Sequence, residues 1–462
     1  MNFEVIYSAA HAEFPDTEPL GGGKAVADYL IREWQESSAA SRGSPDTGVG
    51  ATGLSTTPQN RDRNVAPTNA FPFELTVLSP KSVGLGRREA ACPAARSRVV
   101  DGVAPYRLTE MTELEYARFC REFERAVTAE ILKRDPRRCV VLSNDISEGP
   151  DFAALGERGY RIVTILHVDV VEYFTTFYLR GLVKPETVAR FRWFGWLPDV
   201  LRLVFQKQFE CVRHSLRLVV PSAPMRDTIG RCYPWCPPEK IVVLPWGDVS
   251  ASITSVAAVY DRRPAISPER STLTERRYTI DDNEFVVLTL SRLSPEKGIE
   301  RLLAALPRVE TSDRRLRLFI CGAPAYMKGR TYERKLRRRA ARITNARIEF
   351  TGHVSGETKA ALLQRADVFV SPSRHESYGL TIAEAQAAGC RVISHSHYGA
   401  TGLVVDCTNP AALANAINGM ITDGRTRKTG VLSPPTRAAA QLAGLLASVA
   451  EDPMPPSCGG AR

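Results

Sequence analysis

The sequence predicts an α/β protein made of two doubly wound domains that face each other across a cleft. Three observations carry this. Short apolar runs of strand length alternate with amphipathic helical stretches in both halves, the pattern of βα units on a parallel sheet. Each half also has strand-to-helix junctions of the kind that hold phosphate. At 462 residues and 44% hydrophobic, the chain has material for two domains that each bury a core.

In chain order, Phe3 to Ser8 reads as a first parallel strand, followed by a loop ending in Gly21, Gly22 and Gly23. KAVADYLIREW then places Ala25, Val26, Tyr29, Leu30 and Trp34 at helical spacing. Strand, glycines, helix is a phosphate-type junction, although loops collect glycine for other reasons too. From about Ser37 to Pro72 the chain turns to Ser, Thr, Gly, Pro, Asn and Ala, which we read as a disordered insertion (37–72) rather than a domain. FELTVLSP resumes as a strand, TELEYARFCREFERAVTAEILKR is an amphipathic helix, and CVVLSND is another strand. RIVTILHVDVVEYF is a buried strand delivering His167 to its C-terminal end, where ligands lie in open α/β sheets, with Asp169 placed to orient it. Phe174, Phe177, Tyr178, Phe191, Trp193, Phe194 and Trp196 among Arg192, Arg202 and Lys207 allow two readings. Either helices pack the core with their basic side chains in water, or the region meets a membrane surface. RLVVPSAPMRDTIG and KIVVLPWGDV add two strands with a helix between, closing an N-terminal domain at 1–248, and polar, irregular sequence makes 249–283 a linker.

The second domain spans 284–425. FVVLTLSRLSPEKGIERLLAAL is a strand ending at Ser291, a loop presenting Arg292 and Lys297, and a helix after Gly298. Two cations at a strand end can clamp both phosphates of a diphosphate. LRLFICGAP is a strand, and KGRTYERKLRRRAARITNAR is a strongly basic helix, either solvated or touching anionic lipid. IEFTGHVS is a strand turning at Gly352. DVFVSP is a buried strand running into a loop with Arg374, His375 and Glu376, and a small-residue helix starts at Leu380 and is capped by Gly389. Backbone N–H groups of Tyr378, Gly379 and Leu380 at that helix start favour a phosphate. Glu376 and Glu384 suit sugar hydroxyls. In the tail, 426–462, TRAAAQLAGLLASVA is a candidate crossover helix, followed by disorder.

The Glu376-x7-Glu384 pattern around S-Y-G-L, with R-x4-K-G at Arg292 to Gly298, resembles the retaining, GT-B-type glycosyltransferases of the family 4 (glycosyl transferases group 1) type. The resemblance runs roughly from Met1 to Asn418 outside the insertion and is most specific between Phe285 and Val405. It implies a GT-B fold of two Rossmann-like domains and transfer of a hexose, with retention, from a nucleoside-diphosphate sugar to an acceptor hydroxyl. By the same resemblance, Gly22 and Gly23 face the donor diphosphate and His167 hydrogen-bonds the transferred sugar. Arg292 and Lys297 meet the leaving diphosphate, Glu376 holds sugar hydroxyls and Glu384 the ribose. The backbone of His353 and Val354 reads the nucleobase edge. The leaving phosphate accepts the acceptor's proton in a same-face attack. One departure borders the site: after Ala400 the chain reads TGLVVD directly, a shorter connection than the family's. The competing readings are a nucleotide-sugar-binding protein without transferase activity and another GT-B enzyme such as a nucleotide-sugar epimerase.

Bulk properties narrow the partners. The net charge of +10 is diffuse and fits a protein that handles diphosphates or touches an anionic surface, while no nucleic-acid-binding module is recognisable. The ten cysteines are scattered, several in strands such as Cys139, Cys321 and Cys390, and read as small apolar residues in a reducing compartment. Cys232 and Cys236 lack a matching second pair and read as a loop feature rather than a zinc site. No Asp-x-Asp ends a strand, so no essential metal is expected, and no cofactor beyond a UDP-, GDP- or ADP-sugar donor. The sequence does not name the acceptor; the resemblance implies a saccharide or a lipid-linked glycan. The opening MNFEVIYSAA is a strand rather than a leader, and no apolar run approaches the roughly 20 residues of a membrane span. The expectation is a cytoplasmic protein, soluble or peripheral at a membrane.

Overall fold

The computed structural model describes residues 3–12, 21–40, 71, 73–80, 95–100, 111–191, 197–247, 249, 280–281, 283–311, 314–325, 329–423 and 437–454. Most of the expected insertion and linker, together with Arg192, Trp193, Phe194 and Trp196, lies outside the described residues.

Two parallel sheets carry the fold. The first contains β1 (Phe3–Ser8), β2 (Phe73–Pro80), β3 (Ala95–Val100), β4 (Cys139–Ser143), β5 (Arg161–Ile165), β6 (Arg217–Val220) and β7 (Ile241–Val243), in the order β3-β2-β1-β4-β5-β6-β7. The second contains β8 (Glu284–Leu290), β9 (Arg315–Cys321), β10 (Ala346–Gly352), β11 (Val368–Ser371), β12 (Arg391–Ser394) and β13 (Leu403–Val404), in the order β10-β9-β8-β11-β12-β13. Strand order therefore reverses between β1 and β4 and again between β8 and β11.

Near-continuous apolar strands require cover on both faces of a sheet. Ile6, Val141, Ile162 and Leu218 enter one core, and Val5, Tyr7, Val140, Leu142 and Val163 enter the opposite one. The second sheet divides likewise, with Phe285, Val287, Leu318 and Val368 on one side and Val286, Leu288, Phe319 and Phe369 on the other.

The covering helices are α1 (Gly22–Ala40), α2 (Glu113–Ile131), α3 (Phe152–Glu157), α4 (Val170–Phe177), α5 (Pro185–Arg190), α6 (Asp199–Arg202), α7 (Gln208–His214), α8 (Ala223–Cys232), α9 (Ile299–Ala305), α10 (Gly329–Ala340), α11 (Gly356–Arg365), α12 (Leu380–Ala387), α13 (Pro410–Thr422) and α14 (Ala438–Glu451). α2 starts at a capping box in which Thr112 and Glu115 satisfy each other's backbone N–H. α14 crosses back to the first sheet, where Leu442, Leu446 and Val449 share a core with Val26 and Leu30. Trp34 Nε1 donates to the Ala439 carbonyl at 3.0 Å, and Arg161 Nη2 donates to that of Asp452 at 2.9 Å. No helix among the described residues is long and apolar enough to cross a membrane.

Several local expectations change. α1 runs through Ala40, past the point where the insertion was placed. β3 was not foreseen, because arginines interrupt its apolar alternation. Arg202 and Lys207 are not solvated: both pair with the buried Glu124, Arg202 Nη2 at 2.7 Å from each carboxylate oxygen, and Lys207 also donates to the Gly149 carbonyl at 2.8 Å. A π-helical turn, Leu203–Lys207, lies between α6 and α7 and ends at that lysine. Cys232 ends α8 and Cys236 lies in the bend after it, and both pack into the first domain's core.

Candidate active site

In open α/β sheets a ligand crevice forms beyond the strand C-termini where strand order reverses. The chain after β1 reaches Gly21–Gly23, Asn144 directly follows β4, and His167 comes two residues after β5. Across the cleft, β8 leads to Arg292 and Lys297, and β11 leads through Glu376 into α12. A Cβ built on Gly21 would lie 3.6 Å from Arg292 Nε, one on Gly22 3.2 Å from Leu380 Cδ1, and one on Gly23 3.4 Å from His167 Cδ2. Six residues singled out from sequence thus meet here, with Gly21 at a φ of +86° that favours glycine.

On the second-domain side, the loops after β8 and β11 are stitched together. Arg374 N donates to the Glu296 carbonyl at 2.8 Å, and Arg301 Nη1 to that of Pro372 at 3.2 Å. Gly298 has φ +62°, and a Cβ there would sit 2.4 Å from Pro372 O, so the backbone crossing demands glycine. Arg292 Nη2 lies 3.6 Å from Glu296 Oε1. Lys297 Nζ donates to Glu376 Oε1 at 2.7 Å, and Ser373 Oγ donates to the same oxygen at 2.8 Å. Burial alone would raise the Glu376 carboxyl, but the Lys297 ammonium and its hydrogen bond, then His397 and Ser373, hold it down at about 2. The two residues assigned to different parts of the donor are therefore partners of each other.

Glu384 is 5% exposed. Lys359 Nζ of α11 donates to its Oε1 at 3.0 Å, while Oε2 is buried with no hydrogen-bond partner among the described residues. Burial, only partly offset by Lys359, raises its pKa. Gly379, in the left-handed region at φ +78°, begins α12, and its carbonyl accepts from the N–H groups of Ile382 and Ala383. The side chains of Tyr378 and Leu380 pack against the first domain's core, a use the sequence reading did not assign. His353 and Val354 follow β10 at the approach to α11, with Val354 buried and His353 exposed.

On the first-domain side, Asn144 is the hub. Tyr7 OH donates to its Oδ1 at 2.5 Å, His167 Nε2 lies 3.3 Å from the same oxygen, and its Nδ2 donates to the Gly23 carbonyl at 3.2 Å. Burial pushes the His167 imidazole down to about 4, so it is neutral at physiological pH. Asp169 does not orient it. That carboxylate caps α4, accepting from Glu172 N at 3.0 Å and from Gln208 Nε2 at 2.9 Å. Sequence reasoning missed Asn144 and its neighbours His11, Asp145 and Glu148, although polar residues directly after the apolar CVVLS strand were the available signal.

It also missed how the domains are joined. His375 Nδ1 lies 2.7 Å from Glu172 Oε2 of α4, and its ring meets those of Tyr173, Phe177 and Tyr398 edge-on at 5.8, 6.4 and 6.0 Å. Ser222 Oγ donates to the Ser377 carbonyl at 3.1 Å, and Tyr398 OH donates to Thr228 Oγ1 at 2.9 Å. The short connection after β12 supplies Tyr398 and also Gly399, whose N–H donates to the Glu376 carbonyl at 3.0 Å. It therefore braces the loop that carries Glu376.

This architecture defines a class: two Rossmann-like domains with facing crevices, the GT-B arrangement. The same fold is seen in sucrose-phosphate synthase from Thermosynechococcus elongatus, with a TM-score of 0.61 and 18% identity over 97% of this chain and 96% of that one. An E. coli trehalose-6-phosphate structure bound with UDP-2-fluoro glucose superposes with a TM-score of 0.58 and 13% identity over 97% of this chain and 96% of that one. Residues 271–431 match the family model for glycosyl transferases group 1. It is 31% identical over 260 residues to a glycogen synthase of Mycobacterium tuberculosis, covering 56% of this chain and 51% of that one. It is 30% identical over 153 residues to an alpha-monoglucosyldiacylglycerol synthase of Streptococcus pneumoniae, covering 33% and 34% of the two chains. The matched stretch thus spans about half of the first relative's length and a third of the second's.

Proposed function

We propose that this protein is a retaining glycosyltransferase that moves a hexose from a nucleoside-diphosphate sugar to an acceptor hydroxyl. The observation that carries this reading is the placement of Arg292 and Lys297 on the loop after β8, beside Glu376 and opposite Gly21–Gly23. A diphosphate entering there meets both cations. It competes with Glu376 for the Lys297 ammonium, and a sugar hydroxyl can replace the lysine on the carboxylate. The bond from the anomeric carbon to the diphosphate oxygen breaks with its electron pair going to the phosphate, where the two cations stabilise the developing charge. The acceptor oxygen attacks the same face, and its proton passes to the departing phosphate oxygen. His167, neutral and held through Asn144, hydrogen-bonds the sugar. Glu384 takes the ribose hydroxyls on Oε2, the oxygen that Lys359 does not hold, and the His353–Val354 backbone reads the base edge.

UDP-2-fluoro glucose in the E. coli structure and UDP-glucose in Anabaena HepE support a nucleotide-sugar donor. Arg292→Ala tests the reading. Turnover of the donor that supports transfer is expected to fall about 10²- to 10³-fold, the scale of a lost oxyanion-type contact. Unchanged kinetics would remove the clamp.

A further inference from the structure

The donor chemistry leaves one strongly basic element without a task, α10 and the turn after it. α10 carries six basic residues against one acid, Glu333, so most of its cations cannot be paired within the helix. Arg337 takes that acid, with Nη2 2.8 Å from Glu333 Oε1, and its guanidinium lies 4.3 Å from the centre of the Phe350 ring of β10. Lys335, Arg338, Arg339 and Arg342 recur at helical spacing on a different face and line a groove of about 560 Å³, together with Pro295 and Glu300 from the start of α9 and the turn before it. Tyr332 and Leu336, both buried, complete the lining.

The electrostatics of the groove are one-sided. All four cations are exposed, and among the described residues Lys335, Arg338 and Arg342 have no carboxylate partner. Arg339 Nη1 donates to the Glu300 carbonyl at 3.5 Å. The one carboxylate in the groove, that of Glu300, is already engaged: Tyr332 OH donates to its Oε2, and Arg374 Nη2 donates to its Oε1 at 3.2 Å. It therefore does little to oppose an incoming anion. Cations in the last turn of a helix complement its dipole, which accounts for Arg338 and Arg339 but not for Lys335 one turn earlier or for the concavity. A membrane-binding face would carry apolar side chains at its front. Here Tyr332 and Leu336 are buried and the charges are exposed.

We propose that this groove is an anion site, separate from the donor cleft, that takes a soluble phosphorylated small molecule. Its phosphate oxygens accept from Lys335, Arg338 and Arg342, and its carbon framework lies along Pro295 and the stems of the basic side chains. The volume lies within the roughly 300–1,000 Å³ of small-molecule sites. None of the lining residues takes part in the donor chemistry proposed above.

The probe is inorganic pyrophosphate, titrated calorimetrically into the full chain with the donor cleft filled by saturating UDP, GDP or ADP, whichever binds. One pyrophosphate per chain is expected to bind. Lys335→Ala combined with Arg338→Ala should weaken it about tenfold or more, the scale of lost charged hydrogen bonds, with nucleoside diphosphate affinity unchanged as the check on folding. Arg330→Ala combined with Arg334→Ala removes the same charge from the same helix outside the groove, and should leave pyrophosphate affinity unchanged. Absence of saturable binding overturns the proposal. An equal loss in both pairs also overturns it, because the helix would then attract anions by net charge alone. Co-sedimentation with vesicles of phosphatidylserine and phosphatidylcholine reads the lipid alternative. Vesicle binding that is lost in the Lys335 and Arg338 pair, with no pyrophosphate binding by the wild type, would assign the surface to a membrane and overturn the small-molecule site.

Discussion

Replacing Lys297 with methionine keeps the aliphatic stem and removes the ammonium. Its partner Glu376 would then remain as a charge in a site where the two side chains are only 12% and 17% exposed, with the Ser373 hydroxyl as its remaining close donor. In the native protein the Glu376 carboxyl is held at about 2 against an ordinary value of 4.5. A depression of that size corresponds to about 3 kcal/mol of folding stability. Because the folded value lies below the unfolded one, this stability is fully present above pH 4.5 and is lost as pH falls toward 2. Lys297→Met should therefore lower stability by about 3–5 kcal/mol at pH 7, the cost of leaving one member of a buried pair without its partner. Without the lysine, burial raises Glu376 instead, so the variant's deficit shrinks as acid protonates the carboxyl. Urea denaturation at pH 7 and pH 4 reads both effects. Adding Glu376→Gln to Lys297→Met should recover most of the loss at pH 7, since no buried charge is then left alone. An unchanged midpoint in the single variant, or a double variant no better than the single one, would refute the reasoning.

Three further outcomes follow from other groups. Lys207→Met, which strands Glu124 against Arg202 alone, should cost about 3–5 kcal/mol in the same denaturation assay, and a loss within the noise would mean the cluster is solvated in solution. Glu384→Ala should weaken nucleoside diphosphate binding about tenfold by calorimetry, as expected for a charged hydrogen-bond partner, and equal affinity would remove the ribose role. Transfer should persist in EDTA, since the proposed leaving-group stabilisation comes from Arg292 and Lys297; complete loss restored by magnesium would contradict this.

The strand-loop-helix units were legible because apolar runs and helical spacing are local signals. β1, β5, β8 and β11 were read from such runs, and their C-terminal loops were named as the ligand edge. That reasoning brought Gly22, Gly23, His167, Arg292, Glu376 and Leu380 to one cleft. Where local chemistry was ambiguous, it went astray. Asp169 looked like an orienting acid for the histidine two positions before it, but it is a helix cap, because the chain turns into α4 at that residue. The RSRVV segment hid an edge strand behind its arginines. Arg202 and Lys207 read as surface charges because their partner Glu124 lies 78 and 83 residues earlier.

By itself, the sequence determined the α/β class and the division into two Rossmann-like domains, and it singled out the residues here proposed to hold a diphosphate and a sugar, since each depends on short-range periodicity or on motif spacing. The tertiary structure decided which of those residues are partners. Lys297 and Glu376, 79 positions apart, neutralise each other, Lys359 reaches Glu384, and His375 closes onto Glu172 of the other domain. It also gathered His11, Asp145 and Glu148 from beyond two neighbouring strand ends, with His11 Nε2 3.0 Å from Glu148 Oε1. The physical reason is that charge pairing acts through space: two side chains interact strongly only once packing has removed water between them, and strand order determines which loops packing brings together.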